Sequence, residues 1–205
     1  MSGRVSIIDY GMGNLRSVAN AFKALGGEPE VVSHAEQLVE ADRIVLPGVG
    51  AFADGMRNLR EGGWDEALEQ EVRRGGKPFL GLCVGMQLLA SVGLEHGETA
   101  GLGWVPGVCE RLGNGNGLRV PHVGWNEVKF VHGDGMYRGL ESSDSFYFVH
   151  SYVLRPEDVS VVNGVCDYGG PFAASVETGN VRAAQFHPEK SHRAGLTLLS
   201  NFLAD

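Results

Sequence analysis

Phe79-Leu80-Gly81-Leu82-Cys83-Val84-Gly85-Met86-Gln87 is the stretch on which the fold turns. An apolar run reaches a cysteine held between two glycines, and apolar residues then continue to Leu94. Phe79 to Leu82 reads as a buried strand and Val84 to Leu94 as a helix directly behind it. The form G-x-C-x-G is the thiol counterpart of a nucleophile elbow, a sharp strand-to-helix turn that lifts one side chain above the strand's end. Glycines on both sides let the neighbouring backbone pass. A helix beginning at Val84 points free N–H groups and its positive end at the sulfur, which favours thiolate. The alternative is that Cys83 is a small buried hydrophobe, as most cysteines are.

The same alternation extends on both sides. Val5 to Asp9 is a β-branched run leading into Gly11 and Gly13, after which Leu15, Val18, Ala19, Phe22 and Leu25 recur at helical spacing. Asn14 is the expected cap of that helix and Gly26-Gly27 its stop. Glu30 to Val32 and Arg43 to Leu46 follow as strands and Trp64 to Arg74 as a helix. From Trp104 to Val131, Gly, Asn and Pro breaks, among them Gly113-Asn114-Gly115-Asn116-Gly117, favour hairpins over helices. Strands fit Phe146 to Val149, Val161 to Cys166, Phe172 to Val176 and Val181 to Phe186, and a last helix spans about Ser191 to Leu203. The expected fold is α/β, a central mostly parallel sheet flanked by helices with antiparallel hairpins added in the second half. No linker or repeat interrupts it, so residues 1–205 are expected to form a single domain.

Composition narrows the function. Seventeen Lys plus Arg against 25 Asp plus Glu leave a formal charge of −8, which argues against nucleic acid and against an anionic membrane surface as partners. Met1 to Tyr10 resembles neither a signal peptide nor a transit sequence. Phe79 to Leu94 falls short of the roughly 20 residues of a membrane helix. Three widely spaced cysteines, Cys83, Cys109 and Cys166, suggest neither a disulfide framework nor a metal site and fit a reducing cytoplasm. The 31 glycines are about twice the average share, which points to functional loops.

A cysteine nucleophile needs a base, and the base an orienting group. His187-Pro188-Glu189 supplies both: in extended chain, residues i and i+2 project to one side, and Pro188 biases His187 away from the α region. Glu189 can then fix one ring tautomer while the other nitrogen faces Cys83. Pro47-Gly48-Val49-Gly50, after the strand Arg43 to Leu46, offers backbone N–H groups for an oxyanion, and the N–H of Val84 is a second donor. The alternative there is a plain strand-to-helix turn. A peptide flanked by Gly48 and Gly50 turns easily, so its N–H can face away from the site until binding elsewhere biases it. His34, His96, His132 and His192 sit in polar surroundings without ligand spacing, and neither metal nor cofactor is expected. His122 and His150 either line the substrate or partner side or are satisfied structural histidines. Trp125 and Tyr147 are either interface anchors or core aromatics.

Together, G-x-C-x-G and H-P-E resemble the class I, triad-type glutamine amidotransferases. Asp9-Tyr10-Gly11-Met12-Gly13-Asn14, Leu46-Pro47-Gly48-Val49-Gly50-Ala51-Phe52, Pro121-His122-Val123-Gly124-Trp125-Asn126, Phe148-Val149-His150-Ser151-Tyr152 and Phe186-His187-Pro188-Glu189-Lys190-Ser191 narrow the resemblance. They are similar to the glutaminase subunits of imidazole glycerol phosphate synthases, across nearly the whole chain. The resemblance implies that Cys83 attacks the glutamine amide to give a γ-glutamyl thioester, with His187 moving the proton and Glu189 orienting it. It implies that Gln87 and the backbone of Gly48, Ser151 and Tyr152 hold the substrate. It further implies a heterodimer with a (β/α)8-barrel cyclase, to which ammonia passes directly to make imidazole glycerol phosphate and aminoimidazole carboxamide ribotide in histidine biosynthesis. Asn14, Trp125 and Lys190 are the candidate contacts. The Asp9–Asn14 and Pro121–Asn126 stretches disfavour the subunits of anthranilate, aminodeoxychorismate or pyridoxal phosphate synthesis. A cysteine peptidase of similar fold and an inactive binding module are the readings from other classes.

Overall fold

Residues 4–113 and 117–204 are described by a computed structural model. The chain begins with β1 (Arg4–Ile8), α1 (Leu15–Ala24), β2 (Glu28–Val32), β3 (Arg43–Gly48), α2 (Phe52–Glu61) and α3 (Trp64–Leu68), whose helix continues as a π-helical turn over Glu69–Arg74. Next come β4 (Phe79–Cys83), α4 (Val84–Gln87), the two-residue strands β5 (Val92–Gly93) and β6 (Thr99–Ala100), and β7 (Gly107–Arg111). β8 (His122–Phe130), β9 (Ser143–His150), β10 (Tyr152–Pro156), β11 (Val162–Asp167), β12 (Pro171–Thr178) and β13 (Val181–Ala184) precede the closing helix α5 (His192–Ala204).

Nine strands form one sheet in the order β2-β1-β3-β4-β13-β12-β11-β8-β9. Pairing is parallel from β2 through β13 and antiparallel from β13 to β9. The parallel strands are covered on both faces, and their residues divide with period 2. Ile8, Ile44, Leu46 and Phe79 pack under Phe52, Met56, Leu59 and Trp64. Val5, Ile7, Val45, Leu80 and Leu82 pack with Phe22 of α1 and Leu198, Leu199 and Phe202 of α5. β10, β7, β5 and β6 form a second, four-stranded sheet.

Several expectations change in detail. The helix expected over Val84 to Leu94 stops at Gln87. The carbonyls of Leu88, Leu89, Ala90 and Ser91 accept from Leu102, Val105, Gly103 and Gly101, so they are unavailable for helical bonds four residues on. That single turn carries little of the dipole invoked for the sulfur. The Trp104–Val131 region holds strands as expected, but β7 pairs with β10 and β8 with β9 rather than with each other. Asn114, Gly115 and Asn116 of the expected turn lie outside the described residues. Asn14 stands at the N-cap of α1 without a side-chain capping bond; its carbonyl accepts from Val18 instead. α2 had no sequence assignment, although Phe52, Gly55, Met56 and Leu59, its buried residues, carry the helical spacing.

Candidate active site

Cys83 lies at the junction of β4 and α4 with φ 55 and ψ −109, a conformation an L-residue adopts only under constraint. The constraint comes from the flanking glycines. A Cβ on Gly85 would fall on the Leu46 carbonyl oxygen, and one on Gly81 would approach the Gly85 carbonyl oxygen to 2.8 Å. Only glycine at both positions lets the chain double back so tightly. The turn leaves Cys83 in a cavity of about 340 Å³.

Sheet register brings the other groups there. β3 runs parallel to β4 with Gly48 opposite Cys83, so Val49 and Gly50 emerge at the rim of the same cavity. Gly50 has φ 121, and a Cβ on Gly48 would lie 2.6 Å from the Tyr10 hydroxyl. On the other side β13 pairs with β4 through Ala184 and Leu82, which delivers the following residues to the sulfur. His187 is buried and lines the cavity. Its Nδ1 lies 2.9 Å from Glu189 Oε1, whose side chain is almost wholly buried. Burial alone would lower the His187 pKa, but hydrogen bonds to Cys83 and Glu189 and their negative charge raise it to about 9. The pair meets differently from the extended geometry expected, because Pro188–Lys190 is a 3₁₀ turn that folds Glu189 back under the ring.

Val84, Gln87, Ser151 and Tyr152 line the same cavity. Gln87 Nε2 donates to the Tyr152 carbonyl at 2.9 Å, and the Ser151 carbonyl accepts from Leu112 N–H at 2.8 Å. Lys190 is exposed, lines the cavity, and lies 5.8 Å from the Tyr147 ring centroid. Trp125 is 47% exposed rather than in the core, stacked on His192 and edge-on to Tyr147. Asn14 is exposed and is not among the residues lining the cavity. His122 and His150 are both buried, and His150 lines the cavity. His34, His96, His132 and His192 are exposed.

Two groups at the site, one lining the cavity and one buried behind the sulfur, escaped the sequence reading. Glu95 accepts from Phe52 N–H at 2.8 Å through Oε2 and lines the wall near Gln87. It follows directly on the helix expected to end at Leu94, so its direction could not be read. Gln185, fully buried, places Nε2 3.8 Å from Cys83 Sγ. The alternation that pairs i with i+2 along a strand would have found it, because it precedes His187 by two residues.

Comparison with known proteins places the chain in a family. The family model of class-I glutamine amidotransferases matches residues 6–205. The imidazole glycerol phosphate synthase subunit HisH of Moorella thermoacetica is 48% identical, over 97% of this chain and 93% of that protein. The HisH subunit of Aquifex aeolicus is 49% identical, over 97% and 95%, and that of Geobacter sulfurreducens 46%, over 97% of each. Among solved structures, a glutamine amidotransferase superposes with a TM-score of 0.75 at 26% identity, covering 98% of both chains. PurLQS of Thermotoga maritima gives 0.79 at 21% identity over 100% and 99%, a likeness of fold. The chain thus belongs to the class-I glutamine amidotransferases and, within them, to the HisH subunits of imidazole glycerol phosphate synthase.

Proposed function

We propose that this chain hydrolyses glutamine at Cys83 and hands the ammonia to a (β/α)8-barrel cyclase, working as one amidotransferase domain over residues 1–205. The observation that carries the reading is a cysteine held at positive φ in one cavity with a buried histidine, itself bonded to a buried carboxylate at 2.9 Å. Cys83 passes its thiol proton to His187 as Sγ attacks the side-chain amide carbon, and the oxygen gains charge against N–H groups of the Gly48-Val49-Gly50 loop and Val84. The C–N bond then breaks as His187 gives its proton to the leaving nitrogen, releasing ammonia and a γ-glutamyl thioester. Water, deprotonated by His187, attacks the thioester; glutamate leaves and the thiol is restored. Glu189 keeps the imidazole in one tautomer and stabilises its charged form. Gln87 and backbone donors of Ser151 and Tyr152 hold the substrate, and Glu95 is the counter-charge for its α-ammonium.

Ammonia set free in neutral water is protonated and loses its nucleophilic lone pair, so direct transfer to the cyclase is required for it to make imidazole glycerol phosphate and aminoimidazole carboxamide ribotide. Asn14, Trp125 and Lys190 are the proposed contacts. Exposed Trp125 and Lys190 form one patch with Tyr147 and His192, and Lys190 joins that patch to the cavity. Buried free cysteines support a reducing cytoplasm. Among the described residues no helix is long and apolar enough to cross a membrane.

The test is glutamate release by the chain alone, with the cyclase, and with the cyclase and its nucleotide ligand. Cys83→Ala is expected to abolish glutamine-dependent synthesis while synthesis from supplied ammonia persists. Glutamate release that survives the substitution would refute the reading.

A further inference from the structure

A chain of hydrogen bonds with one permitted polarity leads to the Cys83 sulfur. The Tyr152 carbonyl can only accept, and Gln87 Nε2 lies 2.9 Å from it, so the Gln87 amide must present its NH₂ there. The second hydrogen of that NH₂ points to Gln185 Oε1 at 3.0 Å. Gln185 is thereby committed as well: its oxygen is engaged by Gln87, and its Nε2 faces Cys83 Sγ at 3.8 Å. The far side of the Tyr152 carbonyl is held in the same sense. His150 Nδ1 lies 3.0 Å from it, His122 Nδ1 lies 3.0 Å from His150 Nε2, and Asn126 Nδ2 lies 3.3 Å from His122 Nε2. Asn126 cannot be reversed, because its Oδ1 accepts from Glu127 N–H at 2.8 Å and its Nδ2 donates to the Asp167 carbonyl at 3.0 Å.

We propose that Gln185 is a further catalytic residue, a fixed N–H donor to the Cys83 sulfur whose direction is set by Gln87 and the Tyr152 carbonyl. This rests on the reading of Cys83 as the nucleophile. The sulfur needs such a donor because the Val149 carbonyl also lies 3.8 Å from it. That oxygen suits a thiol, whose S–H it accepts, and opposes a thiolate. Gln185 donates to the sulfur in either state and keeps favouring it once the proton has gone to His187. It acts again when the thioester breaks and the sulfur departs with negative charge. An aspartate or glutamate could not do this, and a hydroxyl would not have its direction fixed from the neighbouring amide.

The experiment measures Cys83 alkylation by iodoacetamide at pH 7 without glutamine, so substrate binding plays no part. In Gln185→Met, which keeps length and apolar volume but has no donor, alkylation is expected to slow by about tenfold. Gln185→Glu, the same shape without the N–H, is expected to slow it at least as much. Gln87→Met leaves Gln185 in place but frees its amide to rotate, and a smaller slowing is expected there. Thermal melts identify any variant that fails to fold, and Gln87→Met then remains informative. Wild-type alkylation rates in a folded Gln185→Met or Gln185→Glu would overturn the proposal, as would a wild-type rate in Gln87→Met. Loss of the underlying reading shows separately, as glutamate release that survives Cys83→Ala.

Discussion

The three cysteines of this chain share a buried setting but not a chemistry. Cys109 and Cys166 are each pushed up to about 12 by burial, reinforced by Glu95, Glu110 and Cys83 around the first and by Asp167 beside the second. Cys83 instead meets His187 and the Gln185 amide. A glutamine-like electrophile at pH 8 is therefore expected to label Cys83 alone, as peptide mapping would show; a label on Cys109 or Cys166 with Cys83 protected would contradict this. His187 and Glu189 should fail by different amounts. His187→Ala removes the proton carrier and is expected to lower glutaminase kcat by about a thousandfold or more. Glu189→Gln keeps the shape and loses charge and tautomer control, for a loss of about a hundredfold. Equal, negligible losses in both would remove the triad.

At the scale of elements, the site exists because a strand and a helix turn meet without room for a side chain. Gly85 packs on the Leu46 carbonyl and Gly48 on the Tyr10 hydroxyl and Val84. Gly85→Ala must push β3 away from α4, so a loss of about 3 kcal/mol in unfolding free energy is expected, with glutaminase activity lost as well. Gly63→Ala offers a contrast: its φ is 67, but no atom lies within 4 Å of the added Cβ. Only the strain of the left-handed conformation remains there, about 1 kcal/mol. Urea unfolding of the two variants compares these costs directly, and equal midpoints would mean that the packing at Gly85 is less tight than the structure shows.

For the molecule as a whole, the buried His122–His150 pair ties the antiparallel half of the large sheet to the cavity. Burial lowers both from 6.5 to about 4, with the Tyr152 carbonyl partly opposing this at His150. In the unfolded chain both titrate near 6.5, so between there and about 4 the unfolded state binds more protons than the folded one. Stability present above pH 6.5 is lost as pH falls through that window. A His122→Asn, His150→Asn double variant should be less stable at pH 7 yet lose less between pH 7 and 4.5. Parallel urea midpoint curves for the two proteins would rule out this account. Coupling to a partner belongs to the same scale. Gly50 has φ 121 and Val49 is exposed at the cavity rim, so glutamate release is expected to rise when the cyclase and its ligand are added. A rate unchanged across the three conditions would remove the coupling and leave the triad standing.

Much of this protein is legible in the sequence because local physics carries it. The glycines around Cys83, the proline after His187 and the alternating strand residues act over a few positions. They determine the elbow, the histidine–carboxylate pair and the parallel half of the sheet before any long-range contact is known. Other features depend on distant partners. α4 ends at Gln87 because residues 101–105 take the carbonyls of residues 88–91, and nothing near Leu88 announces that competition. Glu95 reaches the cavity only because the helix stops. The polarity of Gln185 is set by a backbone carbonyl 33 residues earlier in the chain, at Tyr152, acting through Gln87. Hydrogen-bond direction is decided by whichever group cannot reverse, and here that group arrives only when the sheet is assembled.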